Sequence, residues 1–207
     1  MSIAVKVVGR GGKRMVLDII VKFVEGKMTA KEFQEELNTN DELVKLLKNN
    51  IANSLGSGED LYEAINSFDI DTIGGLYDIL GVMKYFLSEN QILYKENDEI
   101  EKLYTLLLAV QPAWLDLPDW YMDKLINKFE SQSGKELKDS MKAQIIEDFR
   151  YLKKPRWLQS PDWLFVDERP LLFIGQLDIK ELRCDTAQVY VFLDEETDTY
   201  HFTEQFT

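Results

Sequence analysis

The sequence predicts an α+β protein in which an N-terminal multi-helix bundle, residues 1–154, precedes a small C-terminal antiparallel β-meander, residues 155–207. Through the first region apolar residues recur every three or four positions, which is the spacing of helices with one buried face. Beyond residue 155 they recur every second position, as in strands. The 207 residues are 45% hydrophobic and 12% aromatic, which excludes disordered and low-complexity classes. We expect two domains, with the β module packed on the last helix.

The first helices are predicted from their apolar spacing and their capping residues. The first helix has this apolar face: Val16, Ile19, Ile20, Phe23 and Val24. Gly26 follows it, where a left-handed C-terminal cap favours glycine. Thr29 and Glu32 have the spacing of a capping box at the start of the second helix, and Thr39 and Glu42 repeat it before the third.

The later helices follow the same logic. Residues 76–87 form the most apolar helical segment and are expected at the centre of the bundle. Asp71 and Asp98 are suited to cap the helices that begin after them, because aspartate is a preferred N-cap residue. The last helix begins near Lys135 and is expected to continue to Pro155, which cannot extend a helix.

Two apolar segments and an acidic turn predict the β-meander. Residues 170–174 and 187–193 are apolar, and the second is rich in Val, Tyr and Phe, which favours strands. Residues 194–198 form a polar turn between this strand and its antiparallel partner. That partner contains Tyr200 and Phe202. The alternation of polar and apolar residues predicts that one face of the sheet is packed, with the last helix as its expected neighbour.

The charge is negative and unevenly distributed. Residues 1–31 carry seven basic and two acidic residues, a balance of +5, within a chain whose net charge is −13. The remaining residues therefore sum to −18. Such a field repels the phosphates of nucleic acid and favours a basic protein partner, whose encounter rate it raises. The alternative is ordinary solubility charge.

The sequence also predicts a cytoplasmic protein that is not inserted in a membrane. Cys184 is the single cysteine, so no intramolecular disulfide can form and a reducing compartment is expected. The N-terminal segment has no apolar region followed by a small-residue cleavage site, so it does not resemble a signal peptide. No apolar run approaches the ~20 residues that a membrane helix needs.

The sequence contains no recognisable catalytic, cofactor or metal motif. The glycine-rich residues 9–14 depart from a phosphate-binding P-loop in spacing, and Arg14 stands where that loop has Ser or Thr. His201 is the single histidine, which leaves a zinc site short of its usual ligands. The acidic turn 194–198 lacks the ligand order and the glycine of an EF-hand. We therefore expect a protein without enzymatic activity and without a cofactor.

Two segments carry a family resemblance. Residues 153–163, KKPRWLQSPDW, and 169–178, RPLLFIGQLD, resemble the C-terminal module of a group of little-characterised bacterial proteins with a P-x-W-[IL]-Q-x-P-[DE]-W-P stretch followed by a P-L-x-F-x-x-Q strand. Leu164 stands where that group usually has its last proline. Residues 23–33, FVEGKMTAKEF, resemble the opening of helical bacterial immunity proteins, including colicin-immunity-like ones. Together these resemblances imply an immunity protein for a toxin delivered by a rival or sibling cell.

The predicted function is therefore to bind and neutralise a cognate bacterial protein toxin with a basic surface. The chain would cover the active site or the substrate groove of the toxin with an acidic surface. The candidate partner-binding residues are exposed acids together with two tryptophans: Asp162, Asp194, Glu195, Glu196, Asp198, Trp157 and Trp163.

The aromatic cluster around Trp157 and Trp163 leaves an alternative open. It is either a hydrophobic joint between the helical and β parts or the exposed anchor of a protein-interaction adaptor, because Trp dominates interface hot spots. Exposed tryptophans would favour the adaptor, and burial of both would not. A third alternative is an enzyme in which Cys184 or His201 meets several carboxylates in a pocket.

Overall fold

The computed structural model describes residues 12–56, 58–182 and 186–207, with the side chains of residues 12–14 excluded. In this part of the chain eight helices precede five strands, which confirms the predicted α+β class. The helices are α1 (Gly12–Val24), α2 (Ala30–Thr39), α3 (Asp41–Lys48), α4 (Leu61–Asn66), α5 (Ile73–Glu89), α6 (Glu99–Val110), α7 (Asp119–Lys128) and α8 (Gly134–Asp148). The strands are β1 (Phe165–Val166), β2 (Arg169–Pro170), β3 (Leu172–Asp178), β4 (Ala187–Asp194) and β5 (Thr199–Phe206).

The chain divides into two compact units, Met1–Tyr104 and Thr105–Thr207. This division differs from the predicted domain boundary between residues 154 and 155. The reason is that α7 and the end of α8 bury aromatic rings in the same core as the strands. The ring of Phe149 lies 5.4 Å from that of Trp163 and 5.0 Å from that of Tyr121 on α7. The last two helices therefore belong to the unit that contains the sheet.

The first unit is a helical bundle around a core of aliphatic residues and phenylalanines. The rings of Phe23 on α1 and Phe33 on α2 stack with centroids 4.0 Å apart. The predicted capping box is present, since the Thr29 side chain accepts from the backbone N–H of Glu32, whose carboxylate accepts from the N–H of Thr29. Gly26 has φ of 69° after α1, as the predicted C-terminal cap requires.

The predicted second capping box is wrong. The Thr39 hydroxyl donates to the carbonyl of Glu35 at 2.7 Å, because Thr39 is still in the last turn of α2. Asn40 is the N-cap of α3 instead, and its Oδ1 accepts from the N–H of Leu43 at 3.1 Å. A one-residue connection between α2 and α3 thus moves the cap by one position.

The cap of α5 is also one residue later than predicted. Thr72, and not Asp71, is the N-cap, and its Oγ1 accepts from the N–H of Gly75 at 3.0 Å. The hydroxyl of Thr72 in turn donates to the carbonyl of Asp69 at 2.9 Å. This bond folds the preceding turn tightly onto the first turn of α5, so that a Cβ on Gly75 would lie 1.9 Å from the Asp69 carbonyl oxygen.

The helix α8 ends at Asp148, whereas the sequence predicted that it continues to Pro155. The following backbone pairs with the sheet instead. The N–H of Phe173 donates to the carbonyl of Arg150 at 2.9 Å, and the N–H of Leu152 donates to the carbonyl of Phe173 at 3.0 Å. The carbonyl of Arg150 and the N–H of Leu152 thus have hydrogen-bond partners in the sheet, in place of those that another helical turn would provide.

The predicted antiparallel β-meander is present as the three-stranded sheet β3-β4-β5. A bulge between Phe173 and Gly175 interrupts the first ladder, and residues 195–198 connect β4 to β5. The strands β1 and β2 form a separate hairpin. Its two-residue turn, Asp167 and Glu168, has φ of 48° and 58°, the left-handed conformations of a primed turn. Among the described residues no helix has both the length and the apolar character to cross a membrane.

The tight turn before α5 yields a stability prediction. We expect Gly75→Ala to destabilise the protein by about 2 kcal/mol, because the new methyl group meets backbone that cannot rotate away. Gly81 in the same helix is exposed and has open space around its Cβ position. Gly81→Ala should therefore be neutral or stabilise by up to about 1 kcal/mol. Urea unfolding of both variants checks this, and equal effects at the two glycines would contradict it.

Candidate functional site

The three-stranded sheet has two faces with different surroundings. Directly opposite residues of antiparallel strands share a face, and successive residues alternate between faces. Tyr190 and Phe192 of β4 point to one face and are fully buried. Val191 points to the other face, opposite Phe202 of β5, which is 61% exposed. We call these the inner face and the outer face.

Trp163 lies at the centre of the core on the inner face. Its side chain is buried, and its indole N–H donates to the carbonyl of Leu171 at 3.0 Å. Four aromatic rings lie within 5.4–6.0 Å of the Trp163 ring: Trp114, Phe149, Phe173 and Phe192. The burial of Trp163 favours the hydrophobic joint over an exposed partner contact, because this side chain closes the core between the sheet and the helices of its unit.

Trp157 is half-buried and has its own internal partners. Its ring stacks on Tyr190 with centroids 4.5 Å apart, and its indole N–H donates to the carbonyl of Trp114 at 2.8 Å. Such a ring is held in place by the protein and does not stand free as an anchor. The aromatic cluster thus has the packing of a hydrophobic joint.

Residues 156–160 cross the inner face and are held there by one side chain from each strand. We call this segment the strap. Gln176 of β3 binds Arg156 twice, since its Oε1 accepts from the backbone N–H at 2.7 Å and its Nε2 donates to the carbonyl at 2.9 Å. The hydroxyl of Tyr190 on β4 donates to the same carbonyl at 3.1 Å. Gln205 on β5 completes the set.

Gln205 is 5% exposed and makes three hydrogen bonds to the strap. Its Oε1 accepts from the backbone N–H groups of Leu158 and Gln159, both at 3.0 Å. Its Nε2 donates to the carbonyl of Ser160 at 2.8 Å. Buried backbone polar groups need such partners, because leaving one unpaired costs free energy. The glutamines therefore allow irregular main chain to lie on a sheet face.

Asp194, expected to be exposed, is 1% exposed, so that expectation is wrong. Its carboxylate accepts from the N–H of Glu196 at 3.0 Å, from the hydroxyl of Thr197 at 2.9 Å and from Arg169 Nη2 at 2.8 Å. Burial raises the pKa of Asp194, but these three donors outweigh it, so the pKa lies below the ordinary value. Asp194 fixes the turn between β4 and β5 from inside.

The other acids of that turn are exposed at its tip. Glu195 pairs with Arg150, and Glu196 lies 3.1 Å from Arg169 Nε. Asp198 has φ of 53°, a conformation that aspartate tolerates better than most residues. We call Glu195, Glu196 and Asp198 the tip acids. They form an acidic projection on a turn that Asp194 holds rigid.

Asp162 is exposed, as expected, and lies beside the middle of β5. Its Oδ2 accepts from the hydroxyl of Thr203 on β5 at 2.6 Å. The structure therefore does not bring Asp162 together with the tip acids. Its bond to Thr203 instead ties the chain beyond the strap to β5.

A charged cleft of about 540 Å³ lies beside the tip acids. Asp148 lies in its wall, where the carboxylate accepts from the Tyr121 hydroxyl and from Gln144 Nε2, both at 2.8 Å. Desolvation and this hydrogen bond raise the pKa of Tyr121. The cleft is lined by four carboxylates, two guanidinium groups and three apolar residues: Glu147, Asp148, Glu195, Glu196, Arg150, Arg169, Pro170, Leu172 and Leu193.

Sequence reasoning missed the outer face, although a signal for it was present. Residues 189–193 are apolar at every position, a pattern typical of strands buried on both faces. On β5 the residues that face outward include Tyr200 and Phe206, which are 59% and 63% exposed. The alternation of apolar and polar residues along β5 therefore also indicated an apolar outer face.

The residues considered for catalysis do not form a site in the described part of the chain. His201 lies on β5, where its Nε2 is 3.3 Å from the hydroxyl oxygen of Thr199. Cys184 and residues 9–11 lie outside the described residues. Within the described ranges no group of three or more His, Cys, Asp and Glu side chains is arranged to hold a metal ion.

The strap yields the second prediction. We expect Gln205→Ala to lower the free energy of unfolding by about 1–3 kcal/mol, because the N–H of Gln159 and the carbonyl of Ser160 lose their partner and the N–H of Leu158 keeps only the Tyr190 hydroxyl. Gln159→Ala is the matched control, since that exposed side chain makes a single hydrogen bond, from its Nε2 to the carbonyl of Phe206, and its loss should cost under about 1 kcal/mol. Guanidinium unfolding followed by tryptophan fluorescence measures both. Similar costs for the two glutamines would refute the strap's role.

The buried turn acid yields the third prediction. The lowered pKa of Asp194 contributes stability that is present above the pKa of the unfolded chain, near 4, and that is lost as the pH falls through the folded pKa. Asp194→Asn should therefore be less stable than the native protein at pH 7, and the difference should shrink below about pH 4. Asp198→Asn, in the exposed part of the same turn, is the control. A difference independent of pH would rule out this linkage.

Comparison of the chain with protein-family models, with curated proteins and with solved structures found no match. The resemblances of residues 23–33 and 153–178 therefore remain predictions. The assignment of a function depends on the geometry of the site described above.

Proposed function

We propose that this chain is an immunity-type protein that binds a cognate bacterial protein toxin in the cytoplasm and neutralises it by covering its active site or substrate groove. The observation that carries the proposal is the charge of the β4–β5 hairpin. Residues 186–207 contain five acidic residues and no Lys or Arg, and all of these acids except Asp194 are exposed. Arg150 and Arg169 pair with this turn and offset part of the charge, which stays negative because five carboxylates face two guanidinium groups. This hairpin presents a negative surface that complements a basic groove.

Rigidity supports the same proposal. The turn that carries the tip acids is fixed from inside by Asp194 and Arg169, and the sheet behind it is closed by the strap. A preorganised surface loses little conformational entropy on binding, so more of the interaction energy appears as affinity. Complementary charge raises the association rate as well. Both properties suit an inhibitor that must bind before its target acts.

The alternative function is a protein-interaction adaptor that uses the aromatic joint. The burial of Trp163 and the internal hydrogen bond of Trp157 weigh against it, because an anchor must be free to enter a pocket of its partner. The exposed tip acids favour an acidic inhibitor instead. An adaptor would have to bind its partner through a surface other than the aromatic cluster around Trp157 and Trp163.

Co-expression tests the proposal. The chain is produced together with each protein encoded by the genes next to its own, in cells whose growth reports toxicity. We expect one neighbour to be toxic alone, to be tolerated when this chain is present, and to co-purify with it. Absence of both rescue and complex formation across the neighbours would reject the proposal.

The tip acids yield the fourth prediction. The triple variant Glu195→Gln, Glu196→Gln and Asp198→Asn should associate with the toxin about tenfold more slowly at low salt, because it loses electrostatic steering. The difference should fall as salt rises. A matched control neutralises three other exposed acids of the same unit: Asp123, Glu136 and Asp139. Stopped-flow or surface-plasmon kinetics measure the rates, and equal slowing by both triples would contradict a role specific to the tip.

A further inference from the structure

The outer face of the three-stranded sheet is a largely apolar surface, interrupted by Glu204 of β5. Four of its side chains are 59–63% exposed. Its apolar members are Leu172 and Leu177 of β3, Val189, Val191 and Leu193 of β4, and Tyr200, Phe202 and Phe206 of β5. The register makes them neighbours, since Leu193 lies opposite Tyr200 and Val191 lies opposite Phe202. Contiguous exposed apolar patches mark interaction sites.

We propose that the outer face is the docking surface for an apolar patch of a protein partner, and that lysine or arginine side chains flank this patch and enter the neighbouring charged cleft. This inference deepens the proposed function and rests on it for the identity of the partner as a toxin. The partner would then contact Phe202 and its neighbours, and not the tryptophans that the sequence predicted.

The position of the charged cleft supplies the argument for basic flanking residues. Leu172 and Leu193 are opposite each other on the outer face, and both also line the cleft. The apolar face and the cleft are therefore one continuous surface. The cleft has four carboxylates against two guanidinium groups, so it carries an excess of negative charge that a cationic side chain would neutralise.

Charge also favours a different protein, and not a second copy of this chain, as the molecule that binds the outer face. Glu204 lies on the outer face opposite Val189, and the tip acids lie at the end of the same hairpin. Two copies docked through this face would bring these carboxylates together, and juxtaposed like charges disfavour association. The net charge of −13 adds to that repulsion. A partner with basic residues around an apolar patch has no such penalty.

A peptide selection tests this surface without requiring the toxin. A phage-displayed library of random peptides is selected on the full-length chain. We expect the enriched peptides to combine aromatic or aliphatic residues with Lys or Arg. Their binding should weaken at least about tenfold on Phe202→Thr, a substitution that removes the ring but keeps the β-propensity of the strand. No enrichment, or enrichment of peptides without basic residues, would overturn the proposal.

The control is Leu93→Thr, which changes a 94% exposed side chain of the other unit. It should change peptide binding by less than about twofold, since it removes no contact of the outer face. Circular dichroism and urea unfolding verify that both variants are folded. Equal weakening by the two variants would overturn the proposal. Sedimentation of the native chain as a dimer that Phe202→Thr dissociates would do the same, by assigning the face to a second copy.

The two proposals fail in different ways. If a toxin is found and Phe202→Thr neutralises it as well as the native chain does, the immunity function stands and the docking surface is rejected. If no neighbouring gene product is neutralised while the peptides behave as expected, the docking surface stands and the immunity function is rejected. Loss of both rescue and peptide binding in Phe202→Thr, with Leu93→Thr unaffected, supports both.

Discussion

Hydrogen bonding of irregular main chain on the inner sheet face is the constraint on which the C-terminal unit depends. The strap crosses all three strands, and Gln176, Tyr190 and Gln205 supply the partners that its backbone groups would otherwise lack. Without them, the strap could leave water only at the cost of unpaired donors and acceptors. With them, Trp163 can follow the strap into the core and join the sheet to the aromatic rings around it.

Because the strap and the aromatic core lie on the inner face, the apolar residues of the outer face remain at the surface. The strap and the ring of Trp163 lie on the inner side, with Phe149 packed against Trp163, and Tyr190 and Phe192 are fully buried there. The apolar residues on the opposite side of the same strands have no comparable cover in the described chain. The hairpin turn at the end of these strands carries the tip acids, so apolar and acidic surface are contiguous. That combination is the physical basis for proposing a protein partner with a basic surface.

Residue periodicity predicted the helices, the meander and its acidic turn, because these depend on local pattern. It did not predict the end of α8, since the backbone at Arg150 pairs with β3, which is distant in sequence. It missed the burial of Asp194 for the same reason, because its partner Arg169 lies 25 residues away on another strand. Because aspartate is usually exposed, the sequence favoured an exposed Asp194. The tertiary ion pair with Arg169 instead allows this side chain to be buried.

The role of the proline- and tryptophan-rich segment was also only partly accessible from sequence. The resemblance placed Trp157, Trp163 and Gln176 in one recurring pattern, and the structure gives each a packing or hydrogen-bonding role within the C-terminal unit. No motif in the sequence marked the outer face.

Hydrogen–deuterium exchange of the chain alone and in complex with the toxin that we propose it binds distinguishes the sheet from the helices as the contact surface. We expect the complex to slow exchange in residues 172–178 and 186–207, where the outer face and the tip acids lie. Exchange in the helices of the first unit should be unchanged. Protection confined to residues 12–104, with none in the sheet, would contradict the claim that this acidic and apolar sheet surface is what the protein presents to its partner.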